Sequence, residues 1–172
     1  MNLTLLWELS YSVPIPHQLL SCSTKKTIMS NERINASEAP KPVGLYPHAR
    51  KVGNLLFLSG VGPRVAKSDT HDSSVPGLKL DHNGNFEEFD FEAQVHSVFH
   101  NVKMVLEASG SSWENLVDVT VFLTDMKRDF KTFNKIYAEY FKDNQPCRTT
   151  VAIDSLPTPI AIELKCIATA GS

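Results

Sequence analysis

Cysteine is scarce in this chain: Cys22, Cys147 and Cys166 are the only three among 172 residues. Their number is odd, and no two have the close spacing of a zinc knuckle or a dithiol redox motif. That argues against a disulfide framework and for a reducing compartment. Charge of one sign is lacking too, since 17 Lys and Arg stand against 19 Asp and Glu, a formal net charge of −2. So balanced a chain has no global basic field for gripping a phosphate backbone, and a nucleic-acid partner is not favoured. No apolar run approaches the roughly 20 residues that a membrane helix needs, so no membrane partner is expected. Arginine is absent from the first 30 residues, and the briefly apolar Leu3–Trp7 runs into Glu8 with no basic segment before it. A secretory signal is not expected on those grounds. Lys25 and Lys26 make only a weak case for mitochondrial targeting, and the expectation is a cytoplasmic protein.

What is present is the composition of an ordinary soluble globule, 42% hydrophobic and 21% charged, in a length that suits one domain. Met29 precedes the polar stretch 31–40 and reads as an ancestral start. Residues 1–40 are therefore expected to be a poorly ordered extension and residues 41–172 the domain. Val52-Gly53-Asn54 reads as a tight turn between two strands, the second being Leu55–Leu58. Asn83-Gly84, flanked by Leu78–Leu80 and Phe86, gives a second hairpin, with a polar loop over 67–74 between the two. Phe91, Val95, Val98, Val102 and Val105 then recur at helical spacing, with Asp90 as N-cap and Ser109-Gly110 as the stop. Val117, Val119, Val121 and Leu123 alternate as a strand. A second helix carries Phe130, Phe133, Ile136, Tyr137, Tyr140 and Phe141 on one broad face, and Arg148–Ile153 and Ile162–Ala168 read as closing strands. The order of elements predicts an α+β domain, mainly antiparallel, with two helices packed on one sheet face.

Several motifs dissolve on inspection. Gly60-Val61-Gly62-Pro63 follows a strand but lacks a third glycine and a following helix, so a strand-end turn is expected rather than a dinucleotide loop. Asp81, Asn83, Asn85 and Glu92 stand at calcium-loop positions, yet Phe86 replaces the glycine that the sharp turn requires. His96 and His100 lie four apart on a helix with no third ligand in register. They are expected at the surface or a subunit interface, and no metal is expected. No Ser occupies a nucleophile elbow. Arg148 and Glu163 carry more information, because Glu163 interrupts the apolar run Ile160–Leu164 and an unpaired carboxylate there is costly. Either the two serve as structural ion-pair residues, or Arg148 clamps a substrate carboxylate while Glu163 handles water.

Six segments decide between these. Gly44-Leu45-Tyr46, Val52–Gly60, Val119–Asp125, Phe133–Tyr137, Cys147–Val151 and Ala161–Glu163, in that order, resemble the RidA/YjgF family from Lys41 to Ala168. The resemblance implies a chorismate-mutase-like domain assembled as a homotrimer, with active sites in the clefts between subunits. It also implies hydrolysis of enamines and imines to keto acids and ammonia, a hydrolase acting on C–N bonds with no cofactor. By the same resemblance the functional positions are Tyr46, Asn134, Arg148 and Glu163, with backbone near Gly60 framing the pocket. Thr150 stands where many members have Cys. Gly44–Arg50 together with Gly60–Arg64 resembles the 2-aminomuconate deaminase branch, which serves tryptophan and aromatic catabolism.

From that resemblance follows an expected chemistry. Arg148 grips the carboxylate beside the C–N carbon through two parallel hydrogen bonds, a task its planar fork suits better than lysine. Glu163 orients water, accepts its proton and passes one to the departing nitrogen. Tyr46 and Asn134 complete the polar wall, and Thr150 holds a water or the substrate amine. A second substrate carboxylate would fall to Arg64, or else to His48. Three other readings compete: a general 2-imino acid deaminase, a non-catalytic ligand-binding or chaperone-like protein, and an RNA-cleaving translation inhibitor. Ammonia release separates the second from the first, and salt-dependent RNA binding marks the third.

Overall fold

The computed structural model describes residues 31–65, 75–84 and 86–171. Expectations for 1–30, for the polar loop over 67–74 and for Asn85 lie outside the described residues. In chain order the elements are β1 (Asn31–Ile34), β2 (Ala49–Val52), β3 (Leu55–Leu58), β4 (Leu78–Leu80), β5 (Phe86–Phe89), α1 (Phe91–Ala108), β6 (Leu116–Leu123), α2 (Met126–Tyr140), β7 (Cys147–Ala152) and β8 (Ile162–Thr169). Six strands form one sheet in the order β1-β2-β3-β8-β6-β7, and β4-β5 stand apart as a ribbon. Every pairing in the large sheet is antiparallel except β6–β7. That pair is joined through α2, the long crossover a parallel connection needs. The expected α+β class, with two helices on one face of a mainly antiparallel sheet, is what the chain forms.

Local chemistry explains most of the elements. Gly53 turns the β2–β3 hairpin at φ 61°, a left-handed conformation that a side chain would strain. Asp90 caps α1 by accepting from the Ala93 amide at 3.0 Å, and Asp125 caps α2 by accepting from the Arg128 amide at 2.9 Å. All five residues of the predicted α1 stripe are buried, joined by Phe99 and Leu106. They pack against Leu116, Val119, Val121 and Leu123 of β6 and Ile162, Leu164, Cys166 and Ala168 of β8. Phe99 is the hub between the helices, its ring 4.7 to 6.4 Å from those of Trp113, Phe133, Tyr137, Tyr140 and Phe141. Truncating such a fully buried ring typically costs about 3–5 kcal/mol.

Three expectations are corrected. The register slips between Leu116 and Asp118, so Leu116 is buried and Val117, expected inward, is 44% exposed. A bulge of this kind breaks strict alternation. On α2, only Phe133, Ile136 and the C-cap Phe141 of the expected face are buried, while Phe130 and Tyr140 stay exposed. The domain also begins earlier than residue 41. β1 pairs with β2, and Ala36 and Ala39 are buried in the core. Polar in sequence, residues 31–40 are held by partners outside themselves.

Candidate active site

Glu163 sits near the start of β8, half-buried, in a cavity of about 130 Å³ that also takes in Tyr46, Gly60, Gly62 and Arg64. Burial pushes its carboxyl above the usual carboxylate range, and the Arg64 guanidinium opposes that rise. Gly60 forms the adjoining wall. A Cβ at that position would come within 2.8 Å of the Glu163 carboxyl carbon, so only glycine lets the carboxylate lie against the backbone. The wall is fixed by an isolated bridge in which Val61 and Leu164 exchange both backbone hydrogen bonds at 2.9 Å. Arg64 donates from Nη2 to the Lys41 carbonyl at 2.6 Å and also lines the cavity.

Arg148 belongs to a different place. It lies on β7, the edge strand, and donates from Nη1 to the Asn134 side-chain oxygen of α2 at 2.9 Å. Its guanidinium lies 4.5 Å from the Tyr137 ring centroid and 5.9 Å from that of Phe133. Asn134 and the aromatic platform hold the fork while its Nε–Nη2 edge has no partner among the described residues. That edge is the one that receives a carboxylate bidentately. Two hydroxyls nearby, Thr150 Oγ1 and Tyr137 Oη, are buried without a hydrogen-bond partner among the described residues. Buried hydroxyls left unpaired are costly, and each can still form a hydrogen bond. Burial pushes the Tyr137 phenol up to about 12, so it stays a donor; the fully buried Cys166 thiol is likewise pushed up to about 12 and is no nucleophile.

Pairing register keeps the two groups apart. Arg148 is the partner of Val119, and Val119 of Cys166, both fully buried beneath the helices. Phe122 is the partner of both Val151 and Glu163, one residue out of phase with that set. Cross-strand partners share a face. Arg148 and Thr150 therefore lie on the helix side, and Glu163 on the opposite face. Of the expected site residues, Arg148, Asn134 and Thr150 gather in one group, and Glu163, Gly60, Tyr46 and Arg64 in another.

His48 joins neither as a ligand group. Its Nδ1 accepts from the Ala36 amide at 3.1 Å and its Nε2 lies 3.0 Å from the Pro40 carbonyl, so both ring nitrogens pin the chain entering β2. No nitrogen remains for a substrate. His96 and His100 are exposed, as expected, with His96 Nδ1 2.8 Å from the Tyr140 hydroxyl. Among the described residues no cluster of three His, Cys, Asp or Glu could hold a metal ion, and no helix is long and apolar enough to cross a membrane. Sequence reasoning missed Tyr137, taken as core, and the buried polar residues of α1. The Gln94 side-chain oxygen accepts from the Ala161 amide at 2.9 Å, and Asn101 Nδ2 donates to the Gly62 and Arg64 carbonyls. Their signal was position: each adjoins an apolar stripe residue, Val95 or Val102.

Comparison with known proteins places the chain among relatives. The family model described as Endoribonuclease L-PSP matches residues 36–170. A RutC family protein of Pyrococcus horikoshii is 37% identical over 137 residues, covering 80% of this chain and 96% of the relative. The chloroplastic Reactive Intermediate Deaminase A of Arabidopsis thaliana is 36% identical over 149 residues, covering 87% and 71%. Among solved structures, E. coli TdcF with bound serine superposes with a TM-score of 0.67 at 26% identity, covering 81% of this chain and 99% of that one.

Proposed function

Because the chain belongs to the Endoribonuclease L-PSP family, the RidA/YjgF/RutC group, we propose that it is a cytoplasmic hydrolase that deaminates an enamine or imine acid to an oxo acid and ammonia. The observation that carries this reading is the division of Arg148 and Glu163 between two sheet faces, each half prepared for one part of that reaction. In one copy they cannot act on one substrate, so the site is completed by a second copy, in a homotrimer. Leu55, Phe57 and Val151, apolar yet 36–40% exposed on the face that carries Glu163, support burial of that face between copies.

The Nε–Nη2 edge of Arg148 takes the substrate carboxylate, with Asn134 and Tyr137 fixing the fork. An enamine first tautomerises to the imine. Water then adds across C=N: a C–O bond forms as Glu163 takes one water proton and returns it to the nitrogen, giving the carbinolamine. Glu163 next takes the carbinol hydroxyl proton and delivers it to the nitrogen as C=O forms and the C–N bond breaks. Ammonia leaves and the oxo acid remains. A carboxylate kept partly desolvated is a stronger base than a solvated one, which fits Glu163 for both transfers. Tyr46 closes the polar wall, and the unpaired Thr150 hydroxyl receives the substrate nitrogen or a water.

For the substrate itself, 2-aminomuconate is the finer reading. It carries a second carboxylate at the far end of a conjugated chain, and Arg64, which lines the Glu163 cavity, would receive it. An ammonia-release assay over 2-aminomuconate and small monocarboxylate imines such as 2-iminopropionate tests both levels. Turnover of 2-aminomuconate in preference supports the whole reading. Preference for 2-iminopropionate leaves a general deaminase, and no ammonia from any member of the panel, with salt-dependent RNA cleavage instead, replaces the reading with the nuclease one.

A further inference from the structure

Helix α1 sends three polar side chains toward the strands that carry the Glu163 half-site. Gln94, Ser97 and Asn101 follow at the i, i+3, i+7 spacing that lines one helix face. Gln94 holds the Ala161 amide, two residues before Glu163, and the Ser97 hydroxyl donates to the Pro63 carbonyl at 2.8 Å. Asn101, 3% exposed, donates from Nδ2 to the carbonyls of Gly62 at 2.9 Å and Arg64 at 2.7 Å. Strand pairing cannot do this work. The bridge to β8 ends at Val61–Leu164, and Pro63 has no amide hydrogen to continue a ladder. Beyond Val61 the backbone is held by the α1 side chains Ser97 and Asn101, Asn101 holding the residues on either side of Pro63, and that path brings Arg64 to the cavity of Glu163.

We infer that Asn101 is a positioning residue for the reaction: by holding the Gly62 and Arg64 carbonyls it keeps the Arg64 guanidinium at the cavity of Glu163, so that proton transfer there depends on a side chain that touches no substrate. This rests on Glu163 being the proton-handling group proposed above. Besides Glu163, the titratable groups lining its cavity are Arg64 and Tyr46. On its own strand and face the next residue is Lys165, whose ammonium is engaged with the Leu58 carbonyl. Across β6 its partner is Phe122, which carries no charge. Arg64 favours the ionised carboxylate, and losing it from the cavity drives the carboxyl further up.

The test follows the Glu163 side-chain carboxyl by 13C NMR against pH, in protein labelled at the glutamate carboxyls and assigned with Glu163→Gln. Arg64→Gln and Asn101→Ser are each expected to move the titration midpoint to higher pH. The double variant is expected to move it no further than Arg64→Gln alone. Ser97→Ala, which removes only the bond to Pro63, is expected to leave it in place. The acidic limb of kcat/KM should shift in the same direction, with a loss on its acid side on the order of threefold or more. A folded Asn101→Ser protein that titrates as wild type overturns the proposal, as do additive shifts in the double variant. If Asn101→Ser does not fold, an unmoved midpoint in Arg64→Gln overturns it alone. Since the titration needs no substrate, shifts as expected in a protein that releases no ammonia would sink the deaminase reading while leaving the positioning role intact.

Discussion

The two half-sites are built by opposite means. Arg148 stands on the outermost strand, exposed, its charge steadied by an aromatic ring and one amide rather than by an acid. Glu163 stands on an interior strand, half-buried, in a cavity whose walls are backbone and glycine. A group that must receive an anion gains from keeping its fork open and its cost of ordering low. One that must exchange protons gains from partial desolvation, which brings its affinity for a proton nearer to that of its reaction partners. On the proposed reading neither region makes a site without the other, and a second copy is the bridge between them.

The largest effect should come from the anion-gripping half. Arg148→Lys keeps the charge and loses the fork, so kcat/KM should fall on the order of a hundredfold or more while the thermal melt stays unchanged. Wild-type turnover in that variant would remove Arg148 from the mechanism. On the other half, Glu163→Gln should lower kcat on the order of a hundredfold with little change in KM. It should also change stability in a way Arg148→Lys does not. Burial raises the folded-state pKa of Glu163 above its ordinary 4.5. The wild type therefore keeps its full stability below that ordinary value and loses some as pH rises through the raised one. The variant should melt higher than wild type at neutral pH, with the gap closing at about pH 4. A melt difference of the opposite sign would mean the ionised carboxylate is paired rather than strained.

Smaller effects sharpen the contrast. Gly60→Ala should displace the Glu163 carboxylate and cost on the order of tenfold in kcat, since the added methyl meets a flexible side-chain end that can yield. If activity survives while the fold is intact, the glycine wall is not what places the carboxylate. Tyr137→Leu takes the ring from beneath Arg148 and should raise KM about threefold to fivefold, the size of an exposed cation–π contact. Tyr137→Phe keeps the ring and should restore most of that, and equal losses in the two variants would shift the role from ring to hydroxyl.

Much of this was open to sequence reading where local rules decide. Gly53, Asp90 and the α1 stripe place hairpin, cap and helix by turn chemistry and period alone. The bulge at Leu116–Asp118 and the place of β1 depended on pairing partners far along the chain, which periodicity cannot see. For the site, the resemblance named residues, and pairing register sorted them. Whether Arg148 and Glu163 share a face turns on the phase of β7 and β8 against β6, a non-local fact. Asn101 escaped because a polar residue beside a helical stripe looks the same whether it meets water or two backbone carbonyls.

Mixing two crippled proteins tests the division of the site most directly. Arg148→Ala and Glu163→Gln, each inactive alone, would be unfolded together, refolded and assayed for ammonia release. In a site shared between copies, random assembly returns one intact Arg148 half against one intact Glu163 half at about a quarter of the interfaces. Activity should recover to about that fraction of wild type. No recovery from a mixture shown by mass to contain mixed oligomers would contradict a site built from two copies.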